Sequence, residues 1–327
     1  MKAIIIPSYG EPDVLEYSDI PAPDAGSEDL LVAVRATALN RADTIQRRGG
    51  YPQPGPRTAF EVPGLEFAGA VVRAGARVEG FAPGDRVMGL LSGGGYAEQV
   101  AIHHRLAMRV PEGLSWQQAG AIPEVFITAH DALRQCDFVA GESVLIHAAG
   151  SGVGVAAIQV AKMMGAGLIA GTAGGPEKLA RARELGLDLG IDYTTTDFAE
   201  AVLEATGGRG VDVTLDVIGA SYWERNLRAL APQGRMVLVG LMGGAATQAN
   251  LGMLLMKRLQ VRGTTLRARP LEEKAAATRA FEKSVLPHIA SGRIQVPIDR
   301  VFSLAEAAAA HAYMESNANF GKIVLEV

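Results

Sequence analysis

Apolar and polar residues alternate, or run apolar for a few positions, through much of the first 120 residues. LLVAVRATAL (30–39), EFAGAVVRAG (66–75), GDRVMGLL (84–91) and YAEQVAI (96–102) lie between breaks that contain Gly or Pro. This is the pattern of β-strands. The stretch from Arg47 to Arg57 holds three Pro and three Gly. It reads as an irregular loop, of a length that is often functional. From about residue 121 the rhythm changes. ESVLIHA precedes VGVAAIQVAKMMG, GLIAGT precedes PEKLARARELG, LGIDY precedes DFAEAVLEATG, VDVTLDVIG precedes SYWERNLRAL, and GRMVLVGLM closes the run. Strands alternating with amphipathic helices predict βαβ units and a parallel sheet covered on both faces. The tail carries one long helical pattern (271–290), a short strand (295–302), a helix (303–316) and a last strand, GKIVLEV. It is too small to fold alone. The expectation is therefore an α/β chain with a β-rich domain of residues 1–120 and 266–327 and an inserted α/β domain of residues 121–265.

Ser143 to Ala161 contains no charged residue, and that length could span a bilayer. Gly150, Gly152 and Gly154 interrupt it, so the stretch reads as strand, loop and helix. MKAIIIPSYG at the start is too short for a signal-peptide core and reads as a strand ended by Pro7. A composition of 48% hydrophobic residues and a net charge of −4 give no strong field toward nucleic acid or an anionic membrane. Neither is expected as a partner. Cys136 is the one cysteine, which excludes an intrachain disulfide and a multi-cysteine metal site. A reducing, cytoplasmic setting is the default.

IHAAGSGVGVAAIQ (146–159) carries the clearest chemical signal. A strand ends at His147, small residues follow, and a helix begins near Val153. Small side chains in such a turn let the backbone approach a pyrophosphate, which the free N–H groups and the helix dipole then hold. Against G-x-G-x-x-G the aligned residues are Ala149, Ser151 and Gly154, with Gly152 between them. A tight structural turn is the bland alternative, but here the turn opens a series of βα units, which favours a dinucleotide. The second strand ends GLIAGTAGG (167–175), with no acid before Glu177 to hold a ribose 2′-hydroxyl. That favours NADPH over NADH. Lys178 would pair with the 2′-phosphate and Tyr193 would donate to it, against a reading of Lys178 as an ordinary solvated residue.

The segments ALNRAD (38–43), GLE (64–66), GGGYAEQV (93–100), AIPEVFITA (121–129), HAAGSGVGVAAIQ (147–159), SYWERN (221–226), GLMGG (240–244) and FGKIVLEV (320–327) are similar to those of the zinc-free medium-chain dehydrogenases/reductases of the quinone oxidoreductase group, relatives of zeta-crystallin. The resemblance covers nearly the whole chain. It implies a GroES-like β-rich catalytic domain and a Rossmann domain with a doubly wound parallel sheet, the active site lying in the cleft between them. It implies Asn40, Tyr51 and Asp43 as catalytic-site residues. It implies NADPH contacts from Thr128, Ala149, Ser151, Gly152, Val153, Gly154, Thr172, Gly174, Lys178, Tyr193, Gly240, Leu241, Met242, Gly243 and Lys322. The family often has Ser or Thr where Gly175 stands here, and Thr172 is the candidate to supply the missing hydrogen bond.

In zinc enzymes of the superfamily a histidine ligand stands at Leu65 and a cysteine ligand at Asn40, so the resemblance implies no metal. The six histidines show no i,i+4 pairing, and the adjacent His103 and His104 would point apart on a strand. Without a Lewis acid the substrate must already be electrophilic: a quinone or an activated enone. The implied reaction is zinc-independent hydride transfer from NADPH to a quinone, with Asn40 orienting the oxygen or the nicotinamide. Tyr51 would stack on the ring or donate a proton, against a reading in which it only packs its loop. Glu66 would support the site, and Arg267 would border the cleft. An enoyl-thioester reductase and an NADPH-binding regulatory protein remain alternatives. A homodimer is expected, through a sheet edge near GRMVLVGLM and TTLRAR that would otherwise lie open.

Overall fold

The protein is described from a computed structural model, which covers residues 1–327 apart from 52 and 55–58. The chain divides into two units, Met1–Ile127 with Leu266–Val327, and Thr128–Thr265.

The first unit is built on a seven-stranded sheet. Along it lie Ile298–Ser303, Lys322–Glu326, Asp29–Ala38, Glu66–Ala74, Arg86–Leu90 and Ala107–Arg109, while Gln99–His103 pairs with Asp29–Ala38 off this path. The C-terminal strand runs antiparallel to Asp29–Ala38, with Val324 opposite Ala38. Alternating residues of these strands, among them Leu30, Val32, Val34, Phe67, Val71, Val87 and Val100, form one core, as the period of two requires. A second core joins Ile4, Leu39 and Tyr96 to Ala307, Ala310 and Met314 of the C-terminal helix Ala307–Glu315.

The second unit is a six-stranded parallel sheet. Its strands in chain order are Ser143–Ile146, Leu168–Ala173, Leu189–Asp192, Val211–Asp216, Leu230–Leu238 and Gln260–Gly263, and their order in space is third, second, first, fourth, fifth, sixth. That is the dinucleotide-binding order, and it puts the C-terminal ends of all six strands along one edge. The uncharged stretch resolves into the strand Ser143–Ile146 and the helix Gly152–Met163. Among the described residues no helix is long and apolar enough to cross a membrane.

Two local expectations are revised and two are sharpened. The helical pattern over 271–290 is two helices, Leu271–Ser284 and Leu286–Ala290, because Pro287 has no N–H to continue the ladder. His103 and His104 do not point apart: the strand ends at His103, a 3-10 turn starts at His104, and the rings stack at 5.0 Å. The sheet edge in this region is Gln260–Gly263, since Leu230–Leu238 is paired on both sides. The expected loop begins only after a short helix, Arg41–Arg47, and part of it lies outside the described residues.

Candidate active site

The strand Asp29–Ala38 runs antiparallel to Lys322–Glu326 and to Glu66–Ala74. Its C-terminal end therefore meets their first residues. Asn40 follows that end, Glu66 opens one neighbour and Lys322 opens the other. The Lys322 ammonium donates to Leu39 O (2.7 Å), Asn40 Oδ1 (2.8 Å) and Glu66 Oε1 (2.7 Å). Asn40 Nδ2 donates to Glu66 Oε1 (2.9 Å) and Ala38 O (3.3 Å). Glu66 is fully buried and Lys322 and Asn40 are 3% and 8% exposed. A buried ion pair persists only when its remaining hydrogen-bond capacity is met, and here the three groups meet one another's. The sequence reading grouped Lys322 with the cofactor contacts, but all three of its protons are spent inside this cluster.

Glu66 Oε2 accepts the N–H of Glu124 (2.8 Å). Pro123 and Glu124 open the helix Pro123–Gln135, so this N–H belongs to a first turn, where it has no partner within the helix. Glu124 is half-buried as a residue, and its carboxyl makes no hydrogen bond or ion pair among the described residues. Burial, then the neighbouring Glu66, push it up to about 8. Sequence reasoning passed over Glu124. The signal available was an acid directly after a proline within AIPEVFITA.

Asp43 sits in the first turn of Arg41–Arg47 and accepts the Asn40 N–H (2.8 Å), the Tyr96 hydroxyl (3.1 Å) and the Gly64 N–H (3.3 Å). It thus fixes the turn that aims Asn40. Burial lifts its carboxyl to about 6. Behind it Arg47 Nη1 faces His311 Nδ1 (3.3 Å), and His311 Nε2 faces the Tyr96 hydroxyl (3.3 Å). Arginine only donates, so His311 accepts at Nδ1 and donates from Nε2.

Tyr51 is not part of this cluster. Its ring lies against the Arg267 guanidinium, 4.8 Å from the ring centroid, and its carbonyl accepts from Arg267 Nη1 (2.8 Å). Arg267 also donates to Ser92 O (2.8 Å) and Gln46 Oε1 (2.7 Å) and is 4% exposed. It clamps the segment that carries Tyr51.

In the second unit the turn after the first strand has Ala148 at a φ of 53°. Ala149 N–H donates to Thr172 O (2.8 Å), and Ser151 caps the helix through Gly154 N (3.0 Å). A Cβ on Gly154 would run into the Ala148 carbonyl oxygen, so only glycine lets the helix start this close to the strand end. The N–H groups of Gly152 and Val153 make no hydrogen bond among the described residues. They are first-turn donors at the positive end of a helix dipole, and their chemistry fits an anionic group.

A closed polar chain stands behind this turn. His147 Nε2 contacts Asn226 Oδ1 (2.6 Å), Asn226 Nδ2 donates to Asp216 Oδ2 (2.9 Å), and His147 Nδ1 contacts Thr172 Oγ1 (3.0 Å). An amide oxygen only accepts, so His147 carries its proton on Nε2 and accepts the Thr172 hydroxyl proton at Nδ1. Burial pushes the imidazole down to about 4, which keeps it neutral. The Thr172 hydroxyl is thus committed to His147 and cannot supply the donor missing at Gly175.

The Tyr193 hydroxyl comes down over Gly174, where a Cβ would stand 3.2 Å from it. Lys178 is in the first turn of the helix Pro176–Glu184. Asp192, at the end of the third strand, accepts Gly175 N–H (3.2 Å), so a carboxylate does reach the second strand's end, from a neighbouring strand. Gly240 to Gly243 form the turn after the fifth strand and are zipped to the turn after the fourth, through Met242 N–H to Val217 O (3.2 Å) and Gly243 N–H to Ile218 O (2.7 Å). Leu241 and Met242 are exposed. Thr128 is buried in the helix Pro123–Gln135, away from the strand-end turns in sequence.

The residues at the zinc positions do not fit a metal. Leu65 has no donor atom, the Asn40 amide is engaged at both ends, and the Lys322 ammonium would repel a second cation. Among the described residues no three His, Cys, Asp or Glu are gathered as a metal site. A strand-end cluster of this kind, in a chain that also holds a six-stranded dinucleotide-binding sheet, defines a dehydrogenase/reductase class. Residues 26–112 match the alcohol dehydrogenase GroES-like domain and residues 152–283 the zinc-binding dehydrogenase family. The chain is 37% identical to a quinone oxidoreductase of Pseudomonas aeruginosa, over 99% of both chains. It is 40% identical over 243 residues to erythronolide synthase EryA2 of Saccharopolyspora erythraea, which covers 72% of this chain and 6% of that protein. Its fold matches the crystal structure of the Escherichia coli quinone oxidoreductase complexed with NADPH at a TM-score of 0.90 and 32% identity, over the whole of both chains. The chain belongs to the quinone oxidoreductase family of the medium-chain dehydrogenases/reductases, and it is an oxidoreductase.

Proposed function

We propose that this protein is an NADPH-dependent quinone reductase that works without zinc. The observation that carries the reading is the cluster of Asn40, Glu66 and Lys322, in which a buried ammonium and carboxylate engage the amide of Asn40, at a position where a zinc enzyme of the superfamily has a ligand. The full-length likeness to quinone oxidoreductases, one of them solved with NADPH, supports the cofactor and the substrate class. In this reading the first unit is the catalytic domain and the second the cofactor domain. The amides of Gly152 and Val153 hold the diphosphate, with Ala149, Ser151 and Gly154 keeping the turn small. Lys178 and Tyr193 hold the 2′-phosphate beside Gly174, and Gly240, Leu241, Met242 and Gly243 flank the nicotinamide half. When bound, NADPH supplies a hydride from its reduced nicotinamide. Asn40 has no free N–H, so its role is that of an acceptor through the second lone pair of Oδ1, orienting an amide donor. Asp43 and Lys322 are positioning residues that act through Asn40. Tyr51 presents one ring face to an acceptor while Arg267 holds the other.

The acceptor is a quinone or an activated enone. Reduction of an enoyl thioester is kept as a second reading because of the likeness to a segment of a polyketide-building synthase. The open edge strand Gln260–Gly263 and the exposed Leu251, Leu255 and Met256 of the preceding helix support a homodimer, which sedimentation would test. The lone, buried Cys136 thiol is in keeping with a cytoplasmic setting.

The deciding experiment follows loss of reduced-nicotinamide absorbance with an ortho-quinone, a para-quinone and an enoyl thioester, each with a chelator present. Rapid NADPH oxidation by a quinone is the expected result. Oxidation only by the thioester would move the assignment to the second reading. Tight NADPH binding without any turnover would favour a regulatory protein.

A further inference from the structure

Reduction of a quinone needs a proton as well as a hydride, and the buried groups around Asn40 leave none to give. All three protons of Lys322 and both amide protons of Asn40 are donated within the cluster. The Tyr96 hydroxyl donates to Asp43, and the Arg267 guanidinium, which keeps its protons, donates to Ser92, Tyr51 and Gln46. Glu66 accepts from Lys322, Asn40 and the Glu124 amide, so it is filled with donors and carries the charge opposite Lys322. Glu124 is tied to it through that amide, yet its own carboxyl has no partner among the described residues. Two adjacent carboxyls in one low-dielectric site do not both ionise. The one supplied with donors is the anion and its neighbour keeps the proton.

We propose that Glu124 is the proton donor of the reaction, a carboxylic acid whose O–H protonates the acceptor oxygen. The proposal rests on the quinone-reductase reading above. The acceptor gains two electrons with the hydride delivered by NADPH, which leaves as NADP+. The O–H bond of Glu124 breaks, a new O–H bond forms on the acceptor, and the carboxylate takes its proton back from water. The charges around it pull both ways. Glu66 and Asp43 favour the acid, while Lys322, Arg267 and Lys274 favour the anion, as does the first turn of the helix. Burial comes first among these, and the carboxyl lies at about 8, which keeps it protonated at neutral pH and returns it to that state after each turnover.

The test is E124Q, which keeps the shape and removes the acid, with E124D as the conservative partner. In the protein without cofactor, difference infrared spectroscopy should show a protonated-carboxyl band at pH 7 that fades by pH 10 and is missing from E124Q. In turnover, E124Q should lose about 10²-fold with quinones whose reduced oxygen is strongly basic. It should lose little with quinones whose electron-withdrawing groups stabilise the reduced anion. The wild-type rate should fall as pH rises through about 8, E124Q should lose that limb, and E124D should retain it. Absence of the band, an equal loss with all quinones, or no loss at all would overturn the proposal. A wild-type protein that turns over no quinone would overturn the underlying reading and the donor role with it, even with the band present.

Discussion

The two units treat their polar groups in opposite ways. In the first, the donors of Lys322 and Asn40 are all consumed by neighbours. In the second, the first-turn amides of Gly152 and Val153 have no partners among the described residues, beside a turn made of small residues. A region that must hold a shape spends its hydrogen bonds internally. A region whose chemistry fits an anion keeps them in reserve, at a helix end where they are not buried orphans. The contrast also explains why the His147–Asn226–Asp216 chain lies one layer behind the turn. It joins the ends of the first and fourth strands without using the amides in front.

The largest effect should come from breaking the closed cluster. Lys322→Met leaves Glu66 buried and charged with no cation, at a cost of about 3–5 kcal/mol. Urea unfolding measures that loss. The double change Lys322→Met with Glu66→Gln should recover part of it, because the uncompensated charge goes too. NADPH affinity of the folded fraction should stay as in wild type. A loss of NADPH affinity without a loss of stability would make Lys322 a cofactor contact after all and end the contrast between the units.

Filling the open turn should be the next largest. Gly154→Ala sets a methyl against the Ala148 carbonyl and the Ala149 backbone, where neither side can yield. A destabilisation of about 2 kcal/mol is expected, with weaker NADPH binding, read by thermal melting and by fluorescence titration. Quinone turnover at saturating NADPH should change much less than the affinity.

The units should also differ in the sign of their pH response. Burial raises the Glu124 carboxyl from 4.5 to about 8. The folded chain then holds a proton through that window where the unfolded chain has released it, so stability falls as pH rises from 4.5 to 8. Burial lowers His147 from 6.5 to about 4. There the unfolded chain takes up a proton that the folded chain refuses, so stability falls as pH drops from 6.5 to 4. Melting curves of wild type minus E124Q should show a difference of about 1–2 kcal/mol that opens toward alkaline pH. Wild type minus His147→Asn should show a gap that opens toward acid. A flat difference for Glu124 would mean its carboxyl is ionised in the folded state.

Much of this was legible in the chain, and the remainder was hidden for identifiable reasons. Alternation located the strands at 30–39 and 66–75 to within a residue or two, since one buried face imposes a period of two. The change at about 121 announced βαβ units, and HAAGSGVGVAAIQ marked the turn with unspent amides. Leu65 and Asn40 were conspicuous because a family spacing made them so. The cluster around Lys322 was hidden because its partners Asn40 and Glu66 lie 282 and 256 residues away, and only the pairing of three strands unites them. Glu124 meets Glu66 across 58 residues through a backbone amide, which leaves no trace in residue type. The Thr172 hydroxyl was offered to a phosphate because nothing in GLIAGTAGG tells of His147, a strand away.

The smallest expected effect bears on the open unit alone and concerns its choice of cofactor. The second strand ends without an acid, yet Asp192 brings a carboxylate to Gly175 from the third strand, while Lys178 stands in the next helix's first turn. The two charges oppose each other toward a 2′-phosphate. Asp192 is also engaged by Thr194 N–H (3.0 Å) and its hydroxyl (2.6 Å), so its charge is well solvated and its repulsion softened. Lys178→Ala should therefore weaken NADPH by about tenfold, roughly 1.4 kcal/mol, and leave NADH unchanged. Asp192→Asn should tighten NADPH by only a few fold, since a screened charge at an exposed site is worth about 1 kcal/mol or less. Both follow from titrating each variant with the two cofactors at two salt concentrations. High salt should shrink both effects. Equal losses for NADPH and NADH in Lys178→Ala would mean that the lysine supports the fold of the turn, and the preference would then have to rest on Tyr193 and the backbone at Gly174.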